Sequence, residues 1–152
     1  EHLLTLPQQL DLYGDDEGFA ACVNYLPHLT ATDRETDDTG ADAVTHLWLT
    51  SLARETVVRI LAAVMRVRGM SPHGERQLAT DLAYLANVMA ALDVEIGPAM
   101  HAVLALLALS EEDVKRGVER RVAGSVGGEN EAVFEDLELV RKVAIMRGFA
   151  PV

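Results

Sequence analysis

A chain of 152 residues is long enough to bury a sizeable core, and 49% of it is apolar but only 5% aromatic. That bias suits aliphatic helix faces better than a β-sandwich rich in aromatic residues and Thr. The net charge is −11, and residues 1–45 carry ten of the carboxylates against Arg34 alone, which excludes binding to nucleic acid or an anionic membrane by bulk attraction.

Local basic groups stand apart from that balance: Arg120 with Arg121, and Arg141 with Lys142 and Arg147. Cys22 is the one cysteine, so no disulfide can close within the chain and a reducing compartment is expected. The longest apolar run, around Ala102–Leu109, falls far short of the ~18 residues a membrane span needs. Glu1 in place of an initiating methionine is what a piece of a longer protein would show.

The expected organisation is an acidic N-terminal segment over 1–43, partly flexible, followed by a helical bundle over 44–152. Thr5–Tyr13 places Leu6 and Leu10 on one side and reads as a short helix or extended piece. Gly14 to Asp42 reads as loop, weakly ordered across Thr30–Asp42, with Phe19, Val23, Tyr25 and Leu26 available to pin its middle.

From Val44 the pattern becomes helical. Trp48, Leu49, Leu52, Ala53, Val57, Ile60, Leu61 and Val64 recur at threes and fours, with Ser51, Arg54 and Glu55 opposite, which predicts a helix to about Arg68 stopped by Gly69. Ser71-Pro72 restarts the chain as a cap and a first helical residue. Leu78, Leu82, Leu85, Met89 and Leu92 then step 4-3-4-3, flanked by small residues at Ala79, Ala83, Ala86 and Ala90. Gly97-Pro98 opens a third helix through Leu109. Ser110 followed by Glu111, Glu112 and Asp113 caps a fourth, and Glu131–Arg147 forms a fifth ended by Gly148. The prediction is an all-α bundle of about five helices, broken by a Gly-rich insertion at Gly124–Glu131.

Chemistry-bearing patterns are absent. Gly124, Gly127 and Gly128 are not followed by Lys-Ser or Lys-Thr, so they make no phosphate loop. The five histidines (His2, His28, His46, His73, His101) show no metal-ligand spacing, and none lies near Cys22 in sequence. No catalytic, metal or cofactor residue is assigned. A pocket between helices near His73 and His101 is the alternative, which would make the chain an all-α enzyme or small-ligand domain. Asp81 and Asn87, polar positions on either side of Tyr84 in an Ala- and Leu-rich run, suggest an interaction surface formed with Leu78, Leu85 and Met89.

Trp48–Thr56 (WLTSLARET) and Ser71–Leu92 (SPHGERQLATDLAYLANVMAAL) resemble the C-terminal region of subunit seven of the conserved oligomeric Golgi complex. Thr5–Leu10 and Leu139–Arg147 resemble outlying pieces of that region, in the expected order. The resemblance implies the end segment of a rod-like helical tether subunit without a catalytic site or cofactor, acting in retrograde intra-Golgi vesicle capture. It implies a peripheral place on the cytoplasmic face of the Golgi membrane, reached only through partners. Those partners would be sibling subunits five, six and eight, with SNAREs and small-GTPase-linked factors. A subunit of another tether such as the exocyst is the alternative within the class.

Overall fold

The computed structural model describes residues 2–34, 40–124 and 131–149. Among these the chain is all-α, with no strand. The helices are α1 (Leu6–Leu10), α2 (Glu17–Ala21), α3 (Ala31–Arg34), α4 (Ala41–Val64), α5 (Pro72–Ala91), α6 (Pro98–Ala108), α7 (Glu111–Val122) and α8 (Leu137–Arg147). The five long ones are those that the periodicity predicts. Residues 125–130 of the Gly-rich insertion, and 35–39 of the segment expected to be weakly ordered, lie outside the described residues.

The acidic segment holds more helix than its composition suggests. Single turns of 3-10 helix flank α1 at His2–Thr5 and Asp11–Tyr13, and another follows α2 at Cys22–Tyr25. Two of the short helices, α2 and α3, have a local side-chain cap. The Asp16 carboxylate accepts from Phe19 N at 2.8 Å and opens α2. Thr30 and Asp33 form a reciprocal cap at the start of α3: Thr30 Oγ1 accepts from Asp33 N at 3.2 Å, and Asp33 Oδ2 accepts from Thr30 N at 2.6 Å.

Contacts divide the chain into two compact units, Glu1–Arg59 with Asn87–Ile96 and Ile60–Ala86 with Gly97–Val152. In the first, Leu49, Ala53 and Val57 of α4 are buried, as the periodic pattern requires. The solvent face predicted for the same helix is corrected, however. Ser51 is buried and Arg54 is half-buried, because residues 26–33 lie over them, and Leu52 is exposed instead. Trp48 is half-buried against the Phe19 ring, stacked at 4.5 Å between centroids.

The second unit has the denser core. Met100, Val103 and Leu106 of α6 and Val140, Ala144 and Met146 of α8 have no solvent exposure, and each large side chain so buried contributes about 1.5–3 kcal/mol. Ser71 Oγ accepts from Gly74 N at 3.2 Å at the head of α5, and Ser110 Oγ accepts from Asp113 N at 3.1 Å at the head of α7. Both caps stand where the sequence places them. The predicted Glu131–Arg147 helix is instead a 3-10 turn (Glu131–Phe134) and then α8, because the Asp136 side chain accepts from Leu139 N at 3.0 Å and starts a new helix. Gly148, at φ 87, closes α8 in the left-handed conformation that favours glycine.

Gly117 lies directly beneath the Phe134 ring, and a Cβ there would overlap three of its carbons. Alanine is the better helix former by about 1 kcal/mol, but here the steric term has the opposite sign and is larger, about 1–3 kcal/mol. Gly117→Ala should therefore lower the melting temperature by several degrees, measured by circular dichroism. A gain in stability would show that the ring is not seated on this glycine.

Candidate interaction surface

The six residues expected to form a surface on α5 divide by burial. Leu85 and Met89 are buried and Leu78 is half-buried, so the 4-3-4-3 seam is core and holds the helix in place. Asp81, Tyr84 and Asn87 are open to solvent. Asp81 accepts from Gln77 Nε2 at 2.8 Å one turn earlier, which fixes its side chain along the helix. Tyr84 is 64% exposed, unusual for a ring that would bury well over 100 Å² in a partner. What α5 offers outward is a tyrosine framed by short polar side chains, on a helix immobilised by its inner face.

His73, His101 and Cys22 are each exposed. Among the described residues no three His, Cys, Asp or Glu side chains are grouped as metal ligands, and no helix is long and apolar enough to cross a membrane.

The most developed polar cluster lies in the first unit, and the sequence reading does not find it. Arg54 on α4 donates to His28 O at 2.9 Å and to Asp33 Oδ2 at 2.5 Å, with only 17% of its side chain exposed. Glu55 pairs with His28 Nε2 at 2.6 Å and with Arg59 one turn further along. Hydrogen bonds first from Arg59 and then from His28 hold the Glu55 carboxyl below its usual range. Partial burial pushes the Asp33 carboxyl up, but hydrogen bonds from Arg54 and Thr30 outweigh it and bring it from 3.8 down to about 2. One signal was legible: Thr30-Ala31-Thr32-Asp33 has the spacing of a capping box. The carboxylate's second role, on Arg54, has no local signature.

The second unit is held by a comparable arginine. Arg147 is nine-tenths buried; it pairs with Glu75 at 2.7 Å and donates to Leu106 O at 2.8 Å, with the Phe149 ring at 5.2 Å. These features define a class of protein: a helical scaffold in which polar side chains join helices, with no metal-ligand cluster among the described residues.

A family model described as Golgi complex component 7 (COG7) matches residues 1–130, and the chain belongs to that family. Similar relatives are proteins named conserved oligomeric Golgi complex subunit 7. The one from Homo sapiens is 39% identical over 82 residues, covering 52% of this chain and 11% of its own length. The one from Rattus norvegicus is 29% identical over 133 residues, or 83% of this chain and 17% of its own length. The one from Arabidopsis thaliana is 27% identical over 115 residues, or 76% of this chain and 12% of its own length. The chain thus spans only about a tenth to a sixth of these relatives, in their C-terminal region. No solved structure matches it.

The lowered Asp33 carboxyl has a consequence for stability. Its folded form holds a proton less tightly than its unfolded form, so the Arg54 pair stabilises fully above the ordinary value of 3.8 and is lost as pH falls through about 2. Asp33→Asn should lower the melting temperature by about 2–4 °C at neutral pH. The difference from the unmodified chain should close between about pH 4 and pH 2, as thermal scans across that range would show. A constant difference down to pH 2 would remove the carboxylate from the account.

Proposed function

We propose that the chain is a C-terminal segment of a Golgi vesicle-tethering subunit that works in retrograde intra-Golgi transport through protein–protein contacts, without catalysis. Family membership supports the complex, and the all-α architecture suits a rod-like subunit built to present surfaces. The observation that carries the reading is the outward row of α5: Tyr84 exposed between Asp81 and Asn87 on a helix locked by Leu82, Leu85 and Met89. Exposed aromatic residues on rigid helices are where interface binding energy concentrates.

The natural partners are helical sibling subunits, five, six and eight of the same lobe, with SNAREs and small-GTPase-linked factors as further ligands of the assembled tether. The work would be done at the cytoplasmic face of the Golgi membrane, peripherally, with the membrane reached through those partners.

Tyr84→Ala combined with Asn87→Ala in the full-length protein should reduce capture of sibling subunits by about 10-fold or more. Circular dichroism and melting temperature should stay unchanged, because both side chains are solvent-exposed. Capture at the unmodified level, with folding intact, would place the contact elsewhere. Leu85→Arg cannot serve as the test, since it would drive a charge into the core.

A further inference from the structure

Three side chains of α4 stand at steps of three along one face, and each donates to a backbone carbonyl of a single stretch of chain. Trp48 Nε1 reaches Phe19 O at 3.1 Å, Ser51 Oγ reaches Pro27 O at 2.8 Å, and Arg54 Nη1 reaches His28 O at 2.9 Å. Arg54 also holds the Asp33 carboxylate at 2.5 Å, and the neighbouring Glu55 holds the His28 ring. Every residue has a carbonyl, so such a row accepts a chain with little regard to its side chains. Selectivity comes from the guanidinium, whose planar fork matches a carboxylate.

The stretch now seated on the row is weakly built. Between residues 15 and 34 only Leu26 is buried. Its helices have five and four residues, too short to persist without support. His28 sits at φ 63, a left-handed conformation unfavourable for a residue with a Cβ. Arg34 ties the stretch to itself through Asn24 O and Leu26 O, both at 3.1 Å, but it has no apolar core of its own, and side chains of α4 hold this strap down. α4 itself is a 24-residue helix with its own buried face.

The geometry points to the Trp48–Ser51–Arg54 row as a peptide-binding surface that residues 19–33 cover in the free chain. Its partner is an irregular acidic segment of another protein, with a carboxylate in the place that Asp33 occupies. The strap supplies the chemistry of the ligand it excludes: consecutive carbonyls at Pro27 and His28, then an acidic anchor. Displacement by such a partner would replace the carbonyl and carboxylate contacts in kind, so the exchange needs no refolding of α4.

Trp48 is the chain's only tryptophan, so its emission reports the state of the strap. In the unmodified chain, amides of residues 19–34 should exchange about 100-fold faster than those of residues 44–57 in α4. In a chain carrying Asp33→Ala and His28→Ala, Trp48 emission should shift to the red with helix content retained. A synthetic peptide of residues 16–34, under reducing conditions, should bind that variant about 10-fold more tightly than the unmodified chain and restore its emission. The same peptide carrying Asp33→Asn should bind about 10-fold more weakly. Exchange of the strap and α4 at one common rate in the unmodified chain would overturn the proposal, since the strap would then be integral to the unit. Equal affinity for the two chains or for the two peptides would overturn it too, and so would loss of α4 in the variant.

Discussion

A guanidinium taken out of water destabilises the fold that buries it in proportion to the donors left unsatisfied, and Arg147 places that constraint on the second unit: its two Nη groups are paired, while its buried Nε has no partner among the described residues. Its partners come from two other helices: the Glu75 carboxylate on α5 and the Leu106 carbonyl on α6. The chain just before α5 is drawn to the same end of α8, with Gly69 N donating to Ile145 O and Met70 N to Met146 O. Backbone bonds from Gly148 N to Ile145 O and from Phe149 N to Ala144 O close α8, and the Phe149 ring lies against the Arg147 guanidinium. Removing the Glu75 carboxylate would leave the nine-tenths-buried guanidinium without its counter-charge, a loss of up to about 3 kcal/mol with the Leu106 carbonyl still in place.

The first unit follows the same logic with less apolar support. Arg54 joins α4 to the carbonyl of His28 and to the carboxylate of Asp33, and α3 exists chiefly as the device that presents that carboxylate. One unit is thus packed around its arginine and the other is tied by its arginine. That difference is why the proposed displacement concerns the cover of the first unit and not the core of the second.

Local physics explains what the sequence made legible. The seam from Leu82 to Leu92 is buried because a 4-3 step keeps one face of a helix inward, and the Ser71 and Ser110 caps follow from the orphan N–H groups at helix starts. α1 falls within Thr5–Tyr13, read from Leu6 and Leu10 as a short helix or extended piece. α2 and α3 were not legible as helices: they have almost no apolar face, and single turns held by Asp16 and Thr30 leave only cap signals. Asp136 is a cap of the same kind, concealed within an apparently continuous pattern. Arg54 and Ser51 looked solvated because polarity along a helix indicates water only until another part of the chain brings acceptors to it. On α5 the inward residues were predictable as apolar. That Leu85 and Met89 are core while Tyr84 faces out depends on which side of the helix the neighbours occupy.

Membership of the Golgi complex component 7 family gives these surfaces a context. The proposed contact is the outward row of α5, and its test is the solvent exposure of Tyr84 itself. Hydroxyl-radical footprinting, read by mass spectrometry, reports that ring in the isolated full-length protein and in the assembled complex. Modification of Tyr84 should fall about 5-fold or more on assembly, while exposed Tyr25, at 87% accessibility, stays as reactive as before. Equal modification of Tyr84 in both states would contradict the account and remove α5 from the interface.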